Sequence, residues 1–255
     1  MEFNEFGDRT HKAIILIHGA FVSWHMWAAQ IEAFKDDYHV IVPLLDGHDS
    51  EKHSTFTTIQ RAASDIAEYV GRTRGTDVFG VIGCSLGGVV VAETLAQHKL
   101  VIEHAIIDGA YLTTMSPWLC RQSAKMMCFH LHGIQRGNGI YRYAIGKMFS
   151  EDAASDIRSV CATMSDETCE NAAFANYSYV ISEGVAEEGA QVAYWYGEKE
   201  KGLLAGSVKH VARLIPSSSI EEFAGLGHGG LVSRNPDVFT SKAKTFFGQA
   251  AISQS

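Results

Sequence analysis

One stretch, Asp77 to Val91, leaves this chain few ways to fold: it reads Asp-Val-Phe-Gly-Val-Ile-Gly-Cys-Ser-Leu-Gly-Gly-Val-Val-Val. Its first half is a short apolar run without helical periodicity, which predicts a buried strand. From Leu86 to Ala96, small and apolar residues recur at helical spacing with no proline among them. Gly83-Cys84-Ser85-Leu86-Gly87 stands between the two, where strand must turn sharply into helix. A serine at the apex of such a turn takes a strained backbone, and helix and strand approach it only where the flanking positions lack a Cβ. Gly83 and Gly87 meet that demand. The same turn aims the backbone N–H of Leu86, at a helix start, toward the space beside Ser85 Oγ, where an oxyanion would be stabilised.

The rest of the chain supplies a sheet around this stretch. Ala13 to Ile17 is wholly apolar and predicts a central strand covered on both faces; a short edge strand near Glu2 to Phe6 precedes it. Trp24, Trp27, Ile31 and Phe34 recur at three- and four-residue spacing and mark an amphipathic helix over about 23–35, its aromatic stripe read as core. His39 to Val42 is the next strand, stopped by Pro43, and the loop Asp46-Gly47-His48-Asp49-Ser50 has the Asp-Gly chemistry of a turn; His48 is read as a solvated loop histidine, with lining an active site as the alternative. Thr58 to Arg72 is a one-sided helix with a threonine to cap it, and Glu103 to Ile107 is a strand ending in Asp108-Gly109-Ala110. Alternation of strand and helix argues for an α/β fold with a mostly parallel sheet and right-handed crossovers.

Residues 111–188 break that rhythm with several helical stretches in place of one crossover helix. Ser116-Pro117 opens the first, with Gly133 as its expected end, and Ser150-Glu151-Asp152 opens another. The segment holds Trp118, Met126, Met127, Phe129, Tyr141, Tyr143, Phe149, Phe174, Tyr177 and Tyr179. It is expected to form a helical cap over the carboxyl ends of the strands, inserted between the strand at 103–107 and the strand at 191–196. Residues 1–110 and 189–255 then form the core. Sheet rhythm returns at Gln191 to Tyr196, followed by Gly197-Glu198-Lys199-Glu200, a helix over 203–214, a last strand over 219–223 and a closing helix from Pro236 to about Gln249.

Composition narrows the function classes. A net charge of -8 gives no electrostatic footprint for nucleic acid, and no contiguous basic run offers itself to anionic lipid. The acidic start, Met1-Glu2-Phe3-Asn4-Glu5, lacks the marks of a signal peptide, and no apolar run approaches the ~18 residues of a membrane span. Five cysteines, an odd number without paired metal spacing, read as reduced thiols in a cytoplasmic protein. His130 and His132 lack an evident third ligand, so neither a metal nor a cofactor is expected. The implied partner is a small-molecule substrate, with no nucleic acid and no membrane; oligomeric state stays open.

Ser85 is inert at neutral pH unless a base takes its proton, and histidine has the suitable pKa. Of twelve histidines, His228 alone combines a loop after the last strand with glycines on both sides; His18 is better placed to hold the loop after the first long strand by hydrogen bonds. A carboxylate after the penultimate strand completes the set, and Glu198 and Glu200 are both available. With His18-Gly19-Ala20-Phe21, Gly83-Cys84-Ser85-Leu86-Gly87-Gly88, Gly197-Glu198-Lys199-Glu200 and Gly225-Leu226-Gly227-His228 in that order, the chain resembles the α/β-hydrolase superfamily along essentially its whole length, its small capped esterase-like branch above all. The resemblance implies Ser85 as nucleophile, His228 as base and Glu200, three residues beyond Gly197, as acid, with Asp108 the alternative acid position. The N–H groups of Ala20 and Leu86 would form the oxyanion hole. The expected activity is a serine hydrolase acting on a carboxylic ester of a small, fairly apolar substrate through an acyl-enzyme. Thioester, amide or carbon–carbon bond cleavage on the same residues, or a slow-turnover ligand receptor, are the alternatives.

Overall fold

The computed structural model describes residues 1–49, 54–148, 151–186 and 189–252. Seven strands, β1 (Glu2–Phe6), β2 (Ala13–Ile17), β3 (His39–Leu44), β4 (Asp77–Cys84), β5 (Val101–Asp108), β6 (Gln191–Gly197) and β7 (Ser219–Phe223), form one sheet in the order β1-β3-β2-β4-β5-β6-β7. All neighbours are parallel except β1, which runs antiparallel along β3. Every residue of β2 and β3 is buried, as runs covered on both faces demand.

Helices cover both faces. One face receives α2 (Ile59–Arg74), α3 (Leu86–Ala96) and α8 (Lys201–Leu214), whose Ile66, Val90, Leu204 and Val211 share a cluster with Ile15, Val81 and Tyr194 of the strands. The other receives α1 (Ala28–Phe34) and α10 (Pro236–Ile252), which pack Phe34, Phe239 and Phe247 on Ile14, Ile82 and Trp195. A 3₁₀ turn at Trp24–Trp27 precedes α1, so the expected helix over 23–35 divides in two. The Thr58 hydroxyl caps α2 by accepting from Arg61 N–H at 3.1 Å.

Register places the functional edge. Cys84 pairs with Asp108, and Asp108 with Trp195, so β4 and β5 end level, β6 runs two residues further, and all three deliver Ser85, Gly109 and the turn after Gly197 to one rim of the sheet. Between β5 and β6 the chain forms α4 (Pro117–Gln135), α5 (Gly139–Met148), α6 (Glu151–Thr163) and α7 (Asp166–Ser178), with their own apolar cluster of Cys128, Leu131, Ile145, Ile157 and Cys161 among others. Ser116 Oγ accepts from Leu119 N–H at 3.4 Å at the start of α4. That helix runs through Gly133 instead of ending there: the Tyr141 ring occupies the place of a Gly133 side chain, 2.1 Å from an ideal Cβ, so the glycine serves a close approach of α5. Phe149, Ser150 and Glu188 lie outside the described residues, and no described helix is long and apolar enough to cross a membrane.

Candidate active site

At the turn from β4 into α3, Ser85 adopts φ 56°, ψ -118°, the strained conformation an elbow requires. The crowding that enforces it is backbone on backbone. A Cβ on Gly83 would lie 2.2 Å from the Gly87 carbonyl oxygen, and one on Gly87 2.1 Å from that of Ile17. Ser85 N–H donates to the Asp108 carbonyl at 2.8 Å, which ties the turn to the end of β5.

Three side chains from distant parts of the sequence then meet. Ser85 Oγ lies 2.9 Å from His228 Nε2, and His228 Nδ1 lies 2.5 Å from Glu200 Oε1. Glu200 is 8% exposed, and its second oxygen accepts from Gly197 N–H at 3.2 Å, so the carboxylate is held by its own turn. With Nδ1 donating to the carboxylate, Nε2 is free to accept the serine proton. Burial opposes a charge on the ring, but the hydrogen bond and charge of Glu200, with the charge of Asp108 behind them, outweigh it and raise the His228 pKa above its ordinary value. Glu198 plays another part. It is exposed, accepts from Gly225 N–H at 2.6 Å and ties down the loop that carries His228.

Asp108 stands behind this chain. It is buried, and its Oδ2 has no hydrogen-bond partner among the described residues. Burial pushes its pKa up to about 7, the Glu200 charge adding to the rise and His228 opposing it. Cys84, next to the serine, is pushed well above the ordinary thiol range by burial and by Asp108, and is a poor nucleophile there.

Opposite the elbow, an ideal Cβ on Gly19 would lie 3.5 Å from Ser85 Cβ, so the 18–20 loop abuts the serine. Leu45 N–H donates to His18 Nε2 at 3.0 Å, which leaves Nδ1 to donate to the Gly19 carbonyl at 2.8 Å. His18 thus braces the loop that bears Ala20. Burial, and next to it His48, pull the His18 pKa down to about 3. His48 corrects the expectation of a solvated loop residue: it is fully buried, 5.2 Å ring to ring from His18, and burial lowers its pKa to about 4. The Asp-Gly turn that suggested exposure is there, but Phe56 and the start of α7 roof it over.

The same loop is tied to the helical segment by a carboxylate that no motif marks. Asp156 of α6 accepts from Ser23 N–H at 2.8 Å and from Ser23 Oγ at 2.5 Å, with His25 Nδ1 3.5 Å away. Phe21 and Val22, on either side of the bend, pack on the helical cluster. Ser23 and Asp156 are 133 residues apart, and only the fold makes them neighbours. Of the histidines of α4, His130 pairs with the Tyr141 hydroxyl and His132 with Asp166, and no group of three or more side chains that could hold a metal occurs among the described residues.

A mostly parallel sheet with a strained serine at a strand-to-helix turn, and a histidine and a carboxylate from the next strand ends, defines a nucleophile-elbow α/β protein. Residues 14–241 match the family described as "Alpha/beta hydrolase family", and the chain belongs to it. It is 35% identical over 95 residues to a soluble epoxide hydrolase of Corynebacterium sp. (strain C12), which is 37% of this chain and 33% of that one. To an AB hydrolase superfamily protein of Gibberella zeae it is 26% identical over 136 residues, 51% of this chain and 45% of that one. The chain therefore spans a third to just under half of these relatives. Among solved structures it shares its fold with a Nitrososphaera gargenis carboxylesterase structure (TM-score 0.78, 17% identity, 99% and 95% of the two chains). It shares it also with a thermophilic esterase of Thermogutta terrifontis (TM-score 0.74, 18% identity, 98% and 93%).

Proposed function

We propose that the protein is a serine hydrolase that cleaves a carboxylic ester of a small, fairly apolar molecule through an acyl-enzyme. The observation that carries the reading is the continuous chain Ser85 Oγ–His228 Nε2, His228 Nδ1–Glu200 Oε1, at 2.9 and 2.5 Å. Ser85 attacks the carbonyl while His228 takes its proton; Glu200 holds the imidazole tautomer and balances the imidazolium that forms. The N–H groups of Ala20 and Leu86 receive the oxyanion. The Leu86 N–H belongs to the first turn of α3 and has no partner within its helix. His228 then returns the proton to the leaving alkoxide, and water releases the acid by the same route. Residues 111–188 act as the cap over this rim, with α6 joined to the oxyanion loop through Asp156.

The partial likeness to an epoxide hydrolase does not carry epoxide chemistry to this site. Ring opening by Ser85 would leave an alkyl ether, which an imidazole and a water cannot hydrolyse, whereas an acyl ester turns over. Five buried, unbridged thiols support a cytoplasmic location, and the proposed chemistry on a small molecule needs no cofactor beyond the three side chains.

The test is a fluorophosphonate probe followed by peptide mapping. One adduct is expected, on Ser85, and none in Ser85→Ala. Against p-nitrophenyl esters of rising chain length, Ser85→Ala should lose ~10⁶-fold in kcat. Labelling that persists in Ser85→Ala would remove the serine from the reaction, and single turnover without release would convert the enzyme into a receptor.

A further inference from the structure

The expectation of no membrane partner rests on the lack of a contiguous basic run, yet folding gathers dispersed charges onto one face. Residues 117–148, which form α4 and α5, contain Arg121, Lys125, Arg136, Arg142 and Lys147 and not one Asp or Glu, in a chain whose net charge is -8. All five are exposed, and none forms an ion pair among the described residues. The following pair, α6 and α7, is the reverse: Glu151, Asp152, Asp156, Asp166, Glu167 and Glu170 against Arg158 alone. The segment is electrically polarised, positive on the α4–α5 side.

That positive side also carries the five most exposed large apolar side chains of the described residues. Trp118 is 65% exposed, Met126 56%, Phe129 69%, Ile140 76% and Tyr143 71%. On α4, Trp118, Lys125, Met126 and Phe129 fall within about a quarter of the helix circumference, opposite the buried Cys120, Ala124, Cys128 and Leu131. Tyr141 packs α5 beside it against Gly133 and His130. Exposed aromatics ringed by arginine and lysine, on helices not apolar enough to cross a bilayer, are the composition of a surface that lies in a lipid interface.

We propose that the α4–α5 face docks on an anionic lipid surface, its aromatic and aliphatic tips entering the headgroup layer and its five basic side chains pairing with lipid phosphates. Charge complementarity selects this occupant over a second copy of the chain. A two-fold contact would set the face against itself and press like charges together. An acidic α6–α7 face of another copy would satisfy the charges only in an open, non-closing array. The Lys147 carbonyl at the end of α5 accepts from Arg234 just beyond the His228 loop, at 3.4 Å, so the face borders the rim that carries Ser85. Docking itself does not depend on hydrolysis and is read in Ser85→Ala.

The experiment is co-sedimentation of the full chain with vesicles of phosphatidylcholine alone or of phosphatidylcholine with phosphatidylserine, at low and high salt. The protein is expected to sediment with the anionic vesicles, to be released by salt, and to stay in the supernatant with the neutral ones. Lys125→Gln with Arg142→Gln should weaken partitioning about 25-fold, about fivefold per charge. Tryptophan emission should shift to the blue with anionic vesicles, and the shift should vanish in Trp118→Phe. No sedimentation at low salt, or binding indifferent to lipid charge and to both neutralised residues, overturns the proposal. So does self-association abolished by Trp118→Ser in a protein that ignores vesicles.

Discussion

The elbow around Ser85 and the helical segment 111–188 belong to one chain but are specified in opposite ways. At the elbow the backbone decides: carbonyl oxygens stand where Cβ atoms of Gly83 and Gly87 would go, and neighbouring strands end level to within two residues. In the helical segment side chains decide, around an apolar cluster of nine buried residues, three of them cysteines. The sheet has two far larger clusters, one on each face. A small core leaves large apolar groups in solvent, and the most exposed of them, Trp118, Phe129, Ile140 and Tyr143, lie on α4 and α5. The proposed chemistry, which tolerates little drift, would sit where close packing forbids it, and the proposed lipid contact where side chains can change without moving the backbone.

The strongest test of the rigid region is Glu200→Gln. It should lower kcat toward ~10⁴-fold, as when a buried acid that fixes a histidine is neutralised. Glu198→Gln should stay near the parent, because its contact is with Gly225 N–H. Near-normal turnover of Glu200→Gln beside a dead Asp108→Asn would move the acid to β5.

Where the two regions join, Asp156→Ala should cost about tenfold in kcat, ~1.4 kcal/mol, with KM little changed. The loop bearing Ala20 loses its tie while the substrate keeps its walls. Asp156→Asn, which still accepts from Ser23 N–H, should recover most of the rate. A fall in KM-limited rate alone would assign Asp156 to substrate contact, and the division between the regions would blur.

The smallest effect tests the cost of order at the elbow. Asp108 has a folded pKa of about 7 against an ordinary 3.8, so the folded state holds a proton that the unfolded state gives up. Stability from this group is complete below the unfolded value and drains away as pH rises toward 7. Asp108→Asn, which cannot ionise, should therefore raise Tm by a few degrees at about pH 8 and by less at about pH 5. An equal shift at both would mean that the carboxyl titrates normally.

Sequence legibility follows the same division. The strands and the elbow could be read because their constraints are local, a serine between glycines and an apolar run, whereas the residues alone left Glu198 and Glu200 both open and only the family resemblance pointed to Glu200. His48 could not be read, since its burial depends on Phe56 and on α7, more than a hundred residues on. Gly133 looked like a stop because glycine ends helices, but Tyr141 claimed the vacant space. The partners Ser23 and Asp156 carry no local signature at all, and although the charge bias of residues 117–148 stands in the sequence, the sharing of one exposed face by its basic and aromatic side chains does not. Each is a product of which helix faces which.

The cysteines give the molecule an internal clock. All five thiols are buried; burial raises Cys161 to about 12 and lifts Cys128 and Cys169 above the usual range as well. Cys120, Cys128, Cys161 and Cys169 lie in the helical segment, and Cys84 lies in the sheet. An alkylating reagent in excess therefore reacts with the first four only as fast as those helices part, and with Cys84 only as fast as the sheet itself comes undone. Two reaction rates, read from one unmodified protein by mass, would time the breathing of the helical segment separately from the lifetime of the sheet.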